Sequence, residues 1–332
     1  MSGQLFDNHG RPINYLRLAV TDRCNLRCFY CMPEEGIDYV AREELLSYEE
    51  MLRMVRTLVP LGIHKIRLTG GEPFLRRDFM DFLRAISRIP GLEQIHLTTN
   101  GTLTEPHVPE LKALGVRSVN LSIDTLDRQR FHEITRRDSL PQVLATLDAL
   151  IAHGITTKIN AVVMDGRNIE DILPMVAMTH DYPVSVRFIE EMPFNGGDAH
   201  YTKLPWDHHR IIAHIRAAYP GLEKLPDPPS STSYNYQIPG HQGSVGVIAA
   251  YSRTFCGTCN RIRITPQGLL KTCLYDQGVF NIRDLVRAGA TDAQLQDAFT
   301  TALQHRAVDG WEAEGRQTKD PTGRESMATI GG

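Results

Sequence analysis

Between residues 15 and 190 the chain repeats one unit six times, a short strand pattern followed by a helical one. The strand patterns cover 15–20, 64–69, 94–98, 117–122, 156–163 and 184–189. Among the helical stretches, SYEEMLRMVRTLVPLG sets Ser47 and Glu50 at capping-box spacing and ends near Gly62. RRDFMDFLRAISRI and PQVLATLDALIAHG carry apolar residues at three- and four-residue steps, the period of a helix with one buried face. Strands separated by helices run parallel, because a parallel neighbour needs a long crossover, and that crossover is right-handed. Six such units predict an α/β fold, a partial, TIM-like (β/α)6 barrel.

Each strand splits into an apolar and a polar face. Leu16 and Leu18 oppose Tyr15 and Arg17; Ile66 and Leu68 oppose Lys65 and Arg67; Ile95 and Leu97 oppose His96 and Thr98. Val119 and Leu121 oppose Asn120 and Ser122, Ile159 and Ala161 oppose Lys158 and Asn160, and Val186 and Phe188 oppose Ser185 and Arg187. Side chains alternate across a strand, so the apolar face meets the outer helices and the polar face points into the lumen. An antiparallel sheet with one solvated face shows the same alternation, but it needs no intervening helices. Closed barrels fill their interior with bulky branched residues. A lumen carrying Arg17, Lys65, Arg67, Lys158 and Arg187 instead calls for a highly anionic ligand, since buried charges need partners.

The six cysteines fall into two groups, Cys24, Cys28 and Cys31 in CNLRCFYC, and Cys256, Cys259 and Cys273 in CGTCNRIRITPQGLLKTC. The N-terminal stretch has neither an apolar signal core nor a basic amphipathic targeting pattern, which favours metal ligation or redox chemistry over disulfides and predicts a cytoplasmic protein. Three thiolates leave one iron of a [4Fe–4S] cube free for a ligand that is not protein, whereas structural zinc uses four closed ligands. The second spacing, C-x2-C-x13-C, taken alone also fits a zinc site completed by His or Asp. The net charge of −3 gives no sign of a nucleic-acid partner, and no apolar run spans a bilayer, so neither nucleic acid nor membrane is expected. With 42% hydrophobic and 23% charged residues the composition is ordinary for a globular protein large enough for a sizeable core.

The C-x3-C-x2-C spacing with Tyr30 before the last cysteine resembles the signature of radical S-adenosylmethionine (SAM) enzymes, and Gly70-Gly71-Glu72-Pro73 after the second strand resembles their GGEP motif. Further segments, YLRLAVTDRCNLRCFYCMP, KIRLTGGEPFLRRDF, LTTNG, VNLSIDTLD, RFIEEMP, FCGTCNRIRITPQG and the terminal ATIGG, are similar to the GTP 3′,8-cyclase family of molybdenum-cofactor biosynthesis. That resemblance implies two [4Fe–4S] clusters, one on Cys24, Cys28 and Cys31 that binds SAM and one on Cys256, Cys259 and Cys273 that binds the guanine end of GTP. It implies SAM contacts from Tyr30, Gly71, Ser122 and Met192, and GTP contacts from Arg17, Arg67, Thr98, Lys158, Arg261 and Arg263. Arg17, Arg261 and Arg263 are expected to assist the late proton or electron step, and the Gly331-Gly332 tail to fold toward the active site. The family further implies an external electron donor, a monomer or homodimer, and a product passed to cyclic pyranopterin monophosphate synthase.

After residue 190 the pattern changes. NGGDAHYTKLPW and PDPPSSTS read as connections, SVGVIAA, NRIRITP and GLLKTCLY as short strands, and 281–306 as helical. A boundary at 193/194 is expected, with 1–193 forming the barrel and 194–332 a smaller α+β region that carries the auxiliary cluster and the Gly-Gly tail. The stretch 193–245 carries no assignment. Two other readings compete: a two-cluster radical SAM enzyme with another substrate, which needs neither the luminal cations nor the tail, and a zinc-stabilised binding protein.

Overall fold

The computed structural model describes residues 3–192, 204–317 and 325–331. The expected boundary at 193/194, Pro193, most of NGGDAHYTKLPW and Gly332 lie outside the described residues. After a small antiparallel ribbon, β1 (Leu5–Phe6) and β2 (Pro12–Ile13), come the six expected strands: β3 (Tyr15–Ala19), β4 (Lys65–Thr69), β5 (Gln94–Thr99), β6 (Val116–Ser122), β7 (Thr156–Val163) and β8 (Ser185–Glu190). They pair in sequence order, all parallel. The crossovers carry helices α1 (Tyr48–Leu58), α2 (Phe79–Ile86), α3 (Val108–Ala113), α4 (Arg128–Thr135), α5 (Leu140–Ala152) and α6 (Ile172–Asp181).

Local chemistry explains where these helices start and stop. Ser47 accepts the Glu50 amide and Glu50 accepts the Ser47 amide at 2.7 Å, a complete capping box on α1. The following turn ends at Gly62, whose φ of 94° is readily adopted only without a Cβ. The apolar strand residues, Leu16, Leu18, Ile66, Leu68, Leu97, Val119, Leu121, Ile159, Val186 and Phe188, are all buried in one core with the inward faces of the helices. Burying each such side chain is worth roughly 1.5–3 kcal/mol, which holds the apolar face outward onto the helix layer and leaves the polar face to the lumen.

The C-terminal half is woven into the same sheet. Its helix α7 (His208–Ala218) and strands β9 (Glu223–Lys224) and β10 (Tyr234–Gln237) arise in the stretch that carried no assignment. Strands β11 (Ser244–Ile248), β12 (Arg261–Ile264) and β13 (Leu269–Lys271) lie where short strands were expected, followed by β14 (Phe280–Asn281), α8 (Ile282–Arg287), α9 (Asp292–Leu303) and α10 (Gly310–Gly315). The final element is the single turn α11 (Met327–Ile330). Strand β11 pairs parallel to β8, and β12 pairs parallel to β3, so eight parallel strands run from β12 to β11. Antiparallel strands β13 and β14 extend one edge, β10 and β9 the other.

The sheet is strongly curled. The charge of Arg67 on β4 acts on Lys158 of β7 and Arg187 of β8, three and four strands away in pairing order. In a flat sheet that separation would be roughly 14–19 Å at about 4.8 Å per strand, far beyond what such an interaction needs. The expected open barrel is therefore present, lengthened by β12 and β11.

His96 shows what this lumen does to a titrating group. Buried, with Nδ1 2.7 Å from Ser118 Oγ, it is lowered to about 2 by burial and by the charges of Arg67, Lys65 and Lys158. A base depressed in the fold contributes stability that is complete above the ordinary histidine value near 6.5 and is lost as pH falls toward 2. Wild type should therefore lose stability below about pH 6.5 faster than His96→Asn, by up to about 1.4 kcal/mol per pH unit. Urea unfolding of both proteins between pH 7.5 and 5 checks this; parallel curves would contradict it.

Candidate active site

The first cysteine group leaves the C-terminal end of β3, where barrel enzymes carry their chemistry. Its path is set by the Gly70-Gly71-Glu72 turn that follows β4. A Cβ on Gly70 would stand 2.4 Å from the Thr21 carbonyl oxygen, and one on Gly71 would stand 2.2 Å from that of Arg23. Only glycine admits this backbone approach. The Gly71 and Glu72 amides then donate to Thr21 and Arg23, each at 2.8 Å. Glu72 is fully buried and accepts from the Asn100 amide at 2.7 Å, Thr99 Oγ1 at 2.8 Å and the Phe74 amide at 3.2 Å. Burial, partly offset by these bonds, raises its carboxyl to about 7. Asn100 reaches back to Asn25 Oδ1 at 2.9 Å and to Cys24 Sγ at 3.6 Å.

One cavity opens on all three thiols, and it gathers the residues expected around SAM. Tyr30, Gly71, Ser122 and Met192 all line it, as does Thr98 from the GTP set. Asp124, just past the end of β6, and Asn160, on the luminal face of β7, also line this cavity. Asp124 accepts from Tyr30 Oη and from the Val162 amide, each at 2.9 Å, and burial raises it to about 6. Glu190, at the end of β8, is instead a joint: it accepts from the His208 and Ser252 amides, each at 2.7 Å, and ties β8 to α7 and to the loop after β11.

Deeper in the lumen the cations stand in rows. Pairing sets Arg263, Arg17 and Arg67 side by side on β12, β3 and β4, with Arg261, Tyr15 and Lys65 in the row beneath. Arg67 donates to Tyr15 Oη at 2.7 Å, to the Leu97 carbonyl at 2.6 Å and to Thr98 Oγ1 at 3.4 Å. Lys65 lies 4.5 Å over the Tyr15 ring. Burial pushes the Tyr15 phenol up, but Arg67, Arg17 and Lys65 outweigh it and bring it to about 7. The cations suffer from burial and from one another. Lys158 falls to about 7 through burial and the charges of Arg187, Arg67 and Lys65, and Arg263 falls to about 10 through burial and Arg261. Asn120 Oδ1, Asn160 Oδ1 and Arg261 Nη2 are buried without a hydrogen-bond partner among the described residues. Buried cations and open polar atoms together describe a site shaped for a polar, multiply charged anion.

The second cysteine group flanks these rows. Cys256 and Cys259 directly precede β12 and Cys273 follows β13. Arg261 Nε is 3.4 Å and Arg306 Nη2 3.0 Å from Cys259 Sγ. Burial raises that thiol, but the two guanidinium charges overcome it and lower it to about 6, whereas burial and the Glu72 charge push Cys24 up to about 12. All six cysteines are free thiols. Backbone amides serve their sulfurs: Leu26 on Cys24, Ala328 on Cys31, Gly310 on Cys256, Arg261 on Cys259, and Tyr275 on Cys273 at 3.5 Å. Such N–H donors suit ligating thiolates, so both groups fit as three-cysteine holders of an iron–sulfur cluster. Among the described residues no three His, Cys, Asp or Glu side chains are gathered as they would be around a single metal ion.

The chain's last described residues close the site. Ser326 Oγ donates to the Cys31 carbonyl at 2.7 Å, and Met327 and Ala328 line the cavity. The carbonyl of Gly331 accepts from Arg263 Nη1 at 2.9 Å and Arg17 Nη2 at 3.3 Å. Lys271, fully buried, pairs with Glu325 at the start of this segment. No helix of the described residues is long and apolar enough to cross a membrane.

Residues 18–178 match the Radical SAM superfamily and residues 184–310 match Molybdenum Cofactor Synthesis C. A GTP 3′,8-cyclase of Syntrophomonas wolfei subsp. wolfei is 40% identical over 328 residues, covering 94% of this chain and 98% of the relative. Molybdenum cofactor biosynthesis protein 1 of Mus musculus is 43% identical over 295 residues, covering 89% of this chain but 46% of the relative, so the chain spans about half the length of that protein. Streptococcus suis SuiB, solved bound to S-adenosylmethionine, superposes with a TM-score of 0.60 at 16% identity over 87% of this chain and 69% of SuiB, a likeness of fold. The chain belongs to the GTP 3′,8-cyclase family of the radical SAM superfamily.

Proposed function

We propose that this chain converts GTP to (8S)-3′,8-cyclo-7,8-dihydroguanosine 5′-triphosphate, an early step of molybdopterin biosynthesis. The observation that carries the reading is the row Arg263–Arg17–Arg67, a set of guanidinium groups laid between two three-cysteine groups inside one barrel. Cys24, Cys28 and Cys31 would hold one [4Fe–4S] cluster, with SAM contacted by Tyr30, Gly71, Ser122 and Met192; Cys256, Cys259 and Cys273 would hold the other. When bound, the first cluster and SAM supply one-electron chemistry that removes a hydrogen from the ribose 3′ carbon.

The protein's own work is to hold the two ends of one nucleotide still and dry. Joining ribose C3′ to guanine C8 needs both atoms in contact, and a fixed near-attack geometry is worth several kcal/mol. Arg17, Arg67, Thr98, Lys158, Arg261 and Arg263 bind GTP in this reading. Guanidinium groups match phosphate oxygens in pairs. The Tyr15 phenol, held by Arg67, keeps that guanidinium aimed along the lumen. Arg17, Arg261 and Arg263 also assist the closing proton or electron delivery by stabilising charge at the guanine. The Gly331 carbonyl fixes Arg17 and Arg263 within that row. An external electron donor, a monomeric or homodimeric state, a cytoplasmic location and transfer of product to cyclic pyranopterin monophosphate synthase complete the proposal.

Anaerobic protein with reconstituted clusters should hold about eight irons per chain, two cubes of four. With SAM, dithionite and GTP it should form 5′-deoxyadenosine and a cyclised GTP product. Alanine at Arg17, Arg261 or Arg263 should abolish most product; full turnover by these variants would remove the three arginines from the mechanism. Cleavage of SAM with no GTP product would leave a radical SAM enzyme of another substrate.

Removing Gly331 and Gly332 deletes the acceptor of two charged donors. Losing even one such bond, worth roughly 1.5–3 kcal/mol, should cut turnover at least about ten- to hundredfold while iron content stays at the wild-type level. Equal activity of the truncated protein would refute a role for the tail.

A further inference from the structure

The N-terminal ribbon and the second cysteine group are joined by charges that neither GTP nor SAM binding uses. Asp7, in the turn between β1 and β2, is buried and accepts from Arg11 Nε at 2.6 Å, from the Arg11 and His9 amides at 2.9 Å each, and from Arg306 Nη1 at 3.0 Å. Both arginines are themselves buried, and each reaches on to the cysteine loop. Arg11 Nη1 donates to the Cys256 carbonyl at 3.0 Å. Arg306 donates through Nη1 to the Cys259 carbonyl at 2.9 Å and through Nη2 to Cys259 Sγ at 3.0 Å and the Arg261 carbonyl at 3.2 Å.

Fastening the ribbon to the loop would need one carboxylate and one arginine. Here a single carboxylate faces two buried guanidinium groups, which leaves a surplus positive charge in a dry place, and buried charge is tolerated only when balanced. The sulfur of Cys259 is the group against which that surplus is placed. Partners of a metal's ligands hold those ligands in orientation and tune the centre, and hydrogen bonds to cluster sulfurs shift its potential.

We infer that Asp7, Arg11 and Arg306 form a clamp on the second cysteine group in which Arg306, as a positioning residue at Cys259, sets the reduction potential and the retention of the cluster held there. This rests on the reading that Cys256, Cys259 and Cys273 hold a cluster. A reduced cluster carries one more negative charge than an oxidised one. A fixed cation donating to a ligating sulfur therefore stabilises the reduced form and raises the potential. Arg11 donates to the Cys256, Ala307 and Val308 carbonyls and to the Asp7 carboxylate but to no sulfur, so its charge acts on the cluster from farther away than that of Arg306.

The test uses the full chain with reconstituted clusters, comparing wild type, R306K, R306Q and R11M by iron and sulfide counts, EPR-monitored redox titration and iron loss to a chelator. The first cluster's signal is identified by its change on adding SAM. The second cluster's potential should fall in the order wild type, R306K, R306Q, since lysine keeps the charge and loses the fork. Iron loss from R306Q should be about 10–100-fold faster, the usual scale for losing a ligand's partner. R11M should lower the melting temperature and shift the second cluster's potential less than R306Q does, and the first cluster's potential should be the same in all four proteins. R306K and R306Q that lose thermal stability but keep the wild-type potential would overturn the proposal and leave a merely structural role. About four irons in wild type itself would overturn the second-cluster reading and the clamp's function with it, an outcome separate from an unchanged potential at full iron content.

Discussion

Positive charge packed against positive charge inside the barrel is the constraint on which the site depends. Arg263, Arg17 and Arg67 lie abreast on three adjacent strands, and Lys65, Lys158 and Arg187 crowd the same lumen. Interactions among like charges cost free energy in a medium of low dielectric, and the fold tolerates them only because its helix-facing core is large and continuous. A polyanion entering this space would relieve the repulsion and give the open Nη2 of Arg261 an acceptor, whereas the Oδ1 atoms of Asn120 and Asn160 call for donors such as hydroxyl or N–H groups.

The two cysteine groups reach this lumen by different routes. The first is held by a close backbone approach: the glycines of the turn after β4 lie against Thr21 and Arg23, and Glu72 pins the turn to the end of β5. The second is delivered by β12, which enters beside β3 as a parallel neighbour and carries Arg261 and Arg263 in with it. The terminal segment then spans the gap, with Ser326 on the first cysteine loop and the Gly331 carbonyl on Arg17 and Arg263. In the proposed reading, a nucleotide held by the arginines would lie between the places where the two clusters would sit.

Local periodicity made the barrel legible. Alternation with a period of two placed all six strands within about a residue of their ends, and the same alternation singled out the luminal cations. Ser47 and Glu50 gave the start of α1 because a capping box is a contact between near neighbours. The cysteine spacings were legible for the same reason. What stayed hidden is long-range. Nothing local places Arg261 beside Tyr15, since the pairing of β12 with β3 joins segments some 246 residues apart, the separation of the two partners in number (261 − 15). Arg306 and Asp7 meet across 299 positions and Ser326 meets Cys31 across 295. Their types and spacing carry no signal, because the geometry that joins them exists only after the sheet has closed around its two edges. Strands β9 and β10 were missed because such short edge strands lack a period, whereas α7 does carry one, burying Ile211 and Ile215 on one face, and went unassigned with the stretch around it.

The central claim is that one lumen presents the ribose of GTP to chemistry arising at Cys24, Cys28 and Cys31 while the arginine row holds the nucleotide. Turnover with GTP deuterated at the ribose 3′ carbon tests it most directly, with the recovered 5′-deoxyadenosine analysed by mass spectrometry. Deuterium in the 5′-deoxyadenosine, formed only when GTP is present, is the predicted result. 5′-Deoxyadenosine that forms at the same rate without GTP, or that never carries the label, would contradict the placement of GTP in this barrel.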